Sequence, residues 1–175
     1  TLDGVGVNPA VLDVLGANPG DFGTPVVGST TDITFTISNT GPSDATTVNS
    51  ISLSGQYSYP GGSFPGTGGD CLPTLPASST CEFVVSFTAT VSGLATESID
   101  ISYFDGAISQ TESHGVTATA LSPAEIIVVQ GINYDYGSRP LGSSILHTFS
   151  LQNIGAVQAT GVNSTVFTAP YSYEL

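Results

Sequence analysis

Apolar and polar residues alternate along much of the chain. Ile33, Phe35 and Ile37 are interleaved with Thr34, Thr36 and Ser38, the period of two that sends one face of a strand to a core and the other to water. Phe83, Val85 and Phe87 alternate with Val84, Ser86 and Thr88, and Ile99, Ile101 and Tyr103 with Ser98, Asp100 and Ser102. That last run continues to Phe104-Asp105-Gly106-Ala107 before Ile108 opens another extended stretch. Asp-Gly suits both central positions of a type I′ turn, since each must accept positive φ. The pattern therefore predicts a hairpin joining Glu97–Tyr103 to Ala107–Thr119. Helical periodicity is absent, and 21 Gly and 11 Pro recur too often for helices of ordinary length. The predicted fold is all-β, and short strands with regular turns favour a sandwich over a barrel.

The chain also matches itself. Asp21-Phe22-Gly23 recurs as Asp135-Tyr136-Gly137, Gly28-Ser29 as Gly142-Ser143, and Thr34-Phe35 as Thr148-Phe149. Asn39 and Gly41 return as Asn153 and Gly155, Val48-Asn49-Ser50 as Val162-Asn163-Ser164, and Tyr57-Ser58-Tyr59 as Tyr171-Ser172-Tyr173. Every pair lies 114 positions apart without a gap, Pro9-Ala10 and Pro123-Ala124 included. Such a period exceeds the roughly 20 to 50 residues of a solenoid unit and suits an immunoglobulin-like domain of about 100 residues. Tandem immunoglobulin-like β-sandwich domains are expected: residues 1–7 as the last strand of a preceding repeat, 8–121 as a complete domain, and 122–175 as the truncated first half of a second. The second unit then lacks counterparts of the cysteine loop and of the Phe83, Ile99 and Val116 strands, as a window on a longer array would.

Asp21-Phe22-Gly23, Val27-Gly28-Ser29, Phe35-Thr36-Ile37 and Asn39-Thr40-Gly41 are followed by Cys71, nine residues, Cys81-Glu82-Phe83, then Phe87-Thr88 and Gly93. This succession resembles bacterial choice-of-anchor D repeats, relatives of the abnormal-spindle and Hydin type of immunoglobulin-like domain. The resemblance covers the first unit almost completely and the second as far as it goes. It implies tandem repeats in a large secreted or surface-attached bacterial protein, acting as stalks and spacers. Tyr57-Ser58-Tyr59 departs from it, since such repeats more often carry a single Phe there.

Charge narrows the function classes. With Lys+Arg 1 against Asp+Glu 14, the formal net charge is -13, which cannot neutralise nucleic-acid phosphates and is repelled by anionic membranes. No apolar run approaches the roughly 18 to 20 residues of a membrane helix, so no membrane insertion by this segment is expected. Hydrophobic residues at 39% and charged ones at 9% supply a core, unlike a disordered acidic tail. There is no Lys for a Schiff base, Arg139 alone could clamp an anion, and His114 and His147 are the only conventional neutral-pH bases. The chain is not expected to be an enzyme.

Cys71 and Cys81 are too few for structural zinc and have no His nearby. A disulfide is favoured over free thiols; it would tie the Pro- and Ser-rich loop 72–80 to the Phe83 strand and imply an oxidising, extracellular setting. Asn18 with Asp21, and Asn133 with Asp135, are the best calcium candidates, because oxygen ligands suit hard cations. They fit Asx turns better, so no dedicated cofactor is expected, and loosely held calcium is the alternative. Tyr57, Tyr59 and Phe64 around Pro60-Gly61-Gly62-Ser63 could form a platform for sugar rings, against a structural role at the sandwich edge. His147 replaces Ile33 under the offset, and neither histidine has a metal-ligand companion. Asn163-Ser164-Thr165 matches the glycosylation sequon, a motif that chance often supplies in a Ser/Thr-rich chain.

The expected role is a structural repeat of an exported surface protein, a stalk or spacer of an adhesin or fibre. Its partners would be neighbouring repeats, with linkers such as Leu121-Ser122-Pro123-Ala124 restricting rotation. One alternative is a filament or sheath that assembles from copies of the chain through edge strands, which no Lys guards. A carbohydrate-binding module is the other.

Overall fold

The computed structural model describes residues 6–165 and 167–172. It divides between Leu121 and Ser122 into two compact units. The strand expected over residues 1–7 lies outside the described residues except for Gly6 and Val7, which belong to no strand.

Among the described residues the first unit contains nine strands: β1 (Leu12–Leu15), β2 (Gly20–Asp21), β3 (Thr30–Asn39), β4 (Ala45–Ser50), β5 (Tyr57–Ser58), β6 (Thr74–Leu75), β7 (Thr80–Thr88), β8 (Gly93–Phe104) and β9 (Ser109–Ala120). One sheet has the order β1-β3-β7-β5 and the other β2-β9-β8-β4-β6. All pairs are antiparallel except β2 with β9. Numbered along the chain, these are the A-B-E-D and G-F-C orders of an immunoglobulin sandwich, with β2 as the part of the first strand that crosses to the second sheet. The fold is all-β and immunoglobulin-like.

The core forms where the alternating faces meet. Ile37, Phe83, Val85 and Phe87 from one sheet are fully buried against Ile99, Ile101 and Val116 from the other. Phe35 stacks on Phe83 at 5.3 Å, and Tyr57 lies 4.9 Å from Phe87. Burying side chains of this size contributes about 1.5 to 3 kcal/mol each, so this strand cluster dominates the stability of the unit.

Two details differ from the sequence expectation. The simple alternation fails on β7, where Val84 and Ser86 are buried as well. Its outer edge is taken by β5 and then by the segment 60–71: Val84 donates its N–H to Pro65 O at 2.8 Å, and Asp70 N–H to Glu82 O at 2.9 Å. The hairpin between β8 and β9 is present, with Phe104 opposite Ser109, but its turn is shifted by one residue. Asp105 N–H donates to Ile108 O at 3.0 Å, which puts Gly106 and Ala107 at the tip. Gly106 alone has a positive φ, 101°, the pattern of a type II′ turn with glycine first. Asp105 is freed from the tip because its carboxylate has another task, accepting from Ala107 N at 2.7 Å, Ile108 N at 2.8 Å and Gln110 Nε2 at 2.9 Å.

In the second unit the strands among the described residues are β10 (Ile126–Val128) and β11 (Leu151–Asn153). They pair as Ile126 with Asn153, Ile127 with Gln152 and Val128 with Leu151. In the first unit Leu12 pairs with Asn39, Asp13 with Ser38 and Val14 with Ile37. The register is the same after a shift of 114 positions.

Candidate functional site

Asn39 ends β3 and is buried. Its side-chain oxygen accepts the N–H of Val11 at 3.3 Å and of Gly41 at 3.1 Å. Its amide donates to Ser43 O at 2.9 Å, Leu75 O at 3.1 Å and Pro76 O at 3.2 Å. One amide thus ties β1, the turn after β3 and the strand β6 together, and a buried polar group so served costs little. Gly41 is required beside it, since a Cβ would stand 2.6 Å from Val11 N and 2.7 Å from Ala10 Cα. The second unit repeats the arrangement. Asn153 accepts from Glu125 N at 3.0 Å and Gly155 N at 3.1 Å, and donates to Val157 O at 2.8 Å. A Cβ on Gly155 would meet Ala124 Cα and Glu125 N at 2.8 Å each. Sequence reading found these residues only as repeated letters, because Asn and Gly together read as a turn and carry no signal of burial.

Cys71 and Cys81 form a disulfide with a Cα separation of 4.9 Å. Cys81 lies on β7, so the bridge fastens the loop before it to the central sheet.

The sugar platform is corrected. Tyr57 and Tyr59 are core residues, 4% and 3% exposed. Tyr57 OH donates to Ala95 O at 3.1 Å, and Tyr59 OH to Ser50 Oγ at 2.7 Å. Phe64 packs edge-on against Tyr59 at 5.7 Å and lies 5.7 Å from Phe83. The two buried tyrosine rings offer no face for stacking, and Phe64 is half-buried against the core. The Tyr57 hydroxyl is pushed up to about 12 by burial and by the Asp21 and Glu97 carboxylates.

The calcium candidates serve the backbone. Asp21 Oδ1 accepts from Gly23 N at 2.8 Å, and Asp135 Oδ1 from Gly137 N at 2.7 Å, which are Asx turns. Asn18 Oδ1 accepts from Gly115 N at 2.9 Å, while Asn133 is exposed. Among the described residues no three His, Cys, Asp or Glu side chains converge as metal ligands would.

His114 is buried on β9, edge-on to Phe35 at 5.5 Å, and its Nε2 has no hydrogen-bond partner. His147 stacks on Tyr134 at 3.6 Å, and its Nε2 is likewise buried and unpartnered.

No family model and no curated protein matches the chain. Solved structures do. The VesB protease of Vibrio cholerae is 15% identical with a TM-score of 0.50, over 64% of this chain and 32% of that one. The human CEP192 ASH/PapD-like domain 7 is 15% identical with a TM-score of 0.43, over 64% of this chain and 86% of that domain. A Porphyromonas gingivalis protein of unknown function is 15% identical with a TM-score of 0.44, over 63% of this chain and 46% of that one. The chain therefore spans about a third of VesB, and at this identity the likeness is one of fold.

The polar groups with altered acidity are engaged in structure. Ser54 Oγ donates to Glu97 Oε2, and this bond holds the Glu97 carboxyl below the usual carboxylate range. A carboxylate made less basic in this way is a poor general base for that hydroxyl. Glu112 goes the other way, raised by burial and by the Asp13 carboxylate.

Proposed function

We propose that the chain is a non-catalytic segment of an exported bacterial protein in which immunoglobulin-like units follow one another as a stalk or spacer. The observation that carries this reading is the recurrence of the Asn39 network at Asn153, with the same strand register 114 positions later. A polar node kept with its glycine at the same place in two units is a device of the repeat itself, and the residues that carry the resemblance to choice-of-anchor D repeats lie along the same framework. The Cys71–Cys81 bridge supports an oxidising compartment. The acidic, Lys-free composition favours an extended, non-adhering surface. Calcium, if held, would be a loose counter-ion.

The test is small-angle scattering and light scattering of the full chain over a wide concentration range. A stalk stays monomeric. Concentration-dependent fibres would replace it with the filament reading, which draws its support from edge strands that no Lys blocks.

A further inference from the structure

The pairing of β4 is interrupted once. Thr46 pairs with Phe104 and Asn49 with Ser102, which leaves one extra residue on β4, a β-bulge. Within it Thr47 has φ 55°, a left-handed conformation that crowds a β-branched side chain against the backbone and costs free energy. The second unit carries the same run, Ala159-Thr160-Gly161-Val162-Asn163-Ser164 against Ala45-Thr46-Thr47-Val48-Asn49-Ser50. Gly161 has φ 64°. The repeat therefore sets a left-handed residue at this place, and glycine meets the demand without strain. Threonine at 47 is the one departure in the run.

Thr47 borders a cavity of about 460 Å³ in the first unit, within the size range of small-molecule sites. Val48, Phe64, Pro65 and Pro73 give it apolar walls, and Asn49 lines it as well. None of the lining residues is charged, although the chain carries a net charge of -13. The walls are fixed to one another: Val48 N–H donates to Pro73 O at 3.0 Å, and Cys71, also on the lining, is bridged to Cys81. Phe64 is held from behind by Tyr59 and Phe83. Among the described residues the Thr47 hydroxyl and the Asn49 amide have no hydrogen-bond partner.

We propose that this cavity binds a small uncharged carboxamide that carries an apolar ring. The ring lies against Phe64, Pro65 and Pro73, where burial of apolar surface supplies the affinity. The carboxamide exchanges hydrogen bonds with the Asn49 amide, which offers both donors and an acceptor, and with the Thr47 hydroxyl. A carboxylate or an ammonium in the same place would lose its hydration with no opposite charge to receive it. Strain is tolerated at Thr47 because it places a hydroxyl where glycine has none. The proposal is independent of whether the repeats act as a stalk.

The probes are benzamide, benzoate and benzylammonium, which share a ring and differ in charge. Each is titrated into the full chain, with backbone amide shifts read by nuclear magnetic resonance. Benzamide should give saturable shifts centred on residues 47–49 and 64–73, and the two ions should bind about tenfold or more weakly. Thr47→Gly should fold, since Gly161 holds the same conformation. It should raise the urea midpoint of the first unit while weakening benzamide by about fivefold, the loss of one hydrogen bond. Asn49→Ala should weaken binding to a similar degree without the gain in midpoint. A purely structural threonine would give the rise in midpoint with binding unchanged, and that result overturns the proposal. So do an absence of saturable shifts, shifts centred elsewhere, an ion that binds as well as benzamide, or a lower midpoint for Thr47→Gly.

Discussion

At the scale of single residues, buried polar side chains hold the ends of the first sandwich. Asn39 serves five backbone groups, so Asn39→Ala should destabilise the unit by about 3 kcal/mol, the loss of several buried partners at once. Urea unfolding checks it through a lower midpoint at unchanged slope. The carboxylates give pH dependence of both signs. Asp105 lies below the usual carboxylate range because Ile108 N–H, the Gln110 amide and Ala107 N–H donate to it. A carboxyl with a depressed folded pKa contributes stability above its unfolded pKa and loses it as pH falls through the folded one. Asp105→Asn should therefore lower stability at neutral pH and flatten the acid limb of the stability curve. Glu112, raised by burial and Asp13, is unfavourable when ionised. Glu112→Gln should stabilise at neutral pH, with the gain fading as pH drops below the carboxylate range. Tyr57, at about 12 against an ordinary 10.0, should keep its proton until the fold is lost at high pH, as phenolate absorbance will report.

At the scale of elements, the disulfide and the partnering of strands decide what is ordered. The Cys71–Cys81 bridge closes a loop with a sequence separation of 10, which on the chain-entropy relation is worth about 2 to 3 kcal/mol. The double substitution Cys71→Ser, Cys81→Ser should lower stability by that amount in thermal or urea unfolding. An unchanged midpoint would mean that the edge bonds of segment 60–71 hold β7 without the bridge. Alternation made β3 and β8 legible in the sequence, since each buries one face and wets the other, and the Asp-Gly turn signal made β9 legible as the partner of β8. On β7 it failed because a loop edge covers the second face, and Gly- and Pro-rich sequence gives no period from which such cover can be read. The type I′ turn failed for a related reason. Asp-Gly satisfies the backbone demand of that turn, but a carboxylate that caps two N–H groups and Gln110 does so from the flank, and this fixes the tip one residue later. Tyr57-Ser58-Tyr59 read as structural cover at the sandwich edge, with a sugar platform as the alternative, because amphipathic rings serve both; burial and the hydroxyl bonds to Ala95 and Ser50 place the rings in the core.

At the scale of the whole molecule, the uneven burial of the two units should control proteolysis. Arg139 is the one Lys or Arg in the chain and is followed by Pro140, so trypsin reports little, and a protease that selects aromatic and leucine side chains discriminates. Most aromatic residues of the first unit lie inside: Phe22, Phe35, Tyr57, Tyr59, Phe83 and Phe87 are buried. Of its exposed leucine and aromatic side chains, Leu15 lies on β1, Leu94 and Phe104 lie on β8, and Leu72 is followed by Pro73, which blocks cleavage after it. Cleavage needs about a dozen residues of locally opened chain, and paired strands open far more rarely than unpaired segments. In the second unit Tyr134, Leu141, Leu146 and Phe149 are exposed and lie in no strand. Limited chymotrypsin should therefore cut first within 134–149 and leave a fragment that retains the disulfide and residues 8–121, identified by intact mass. First cuts inside β3 or β7 would show that the two units do not differ in local stability.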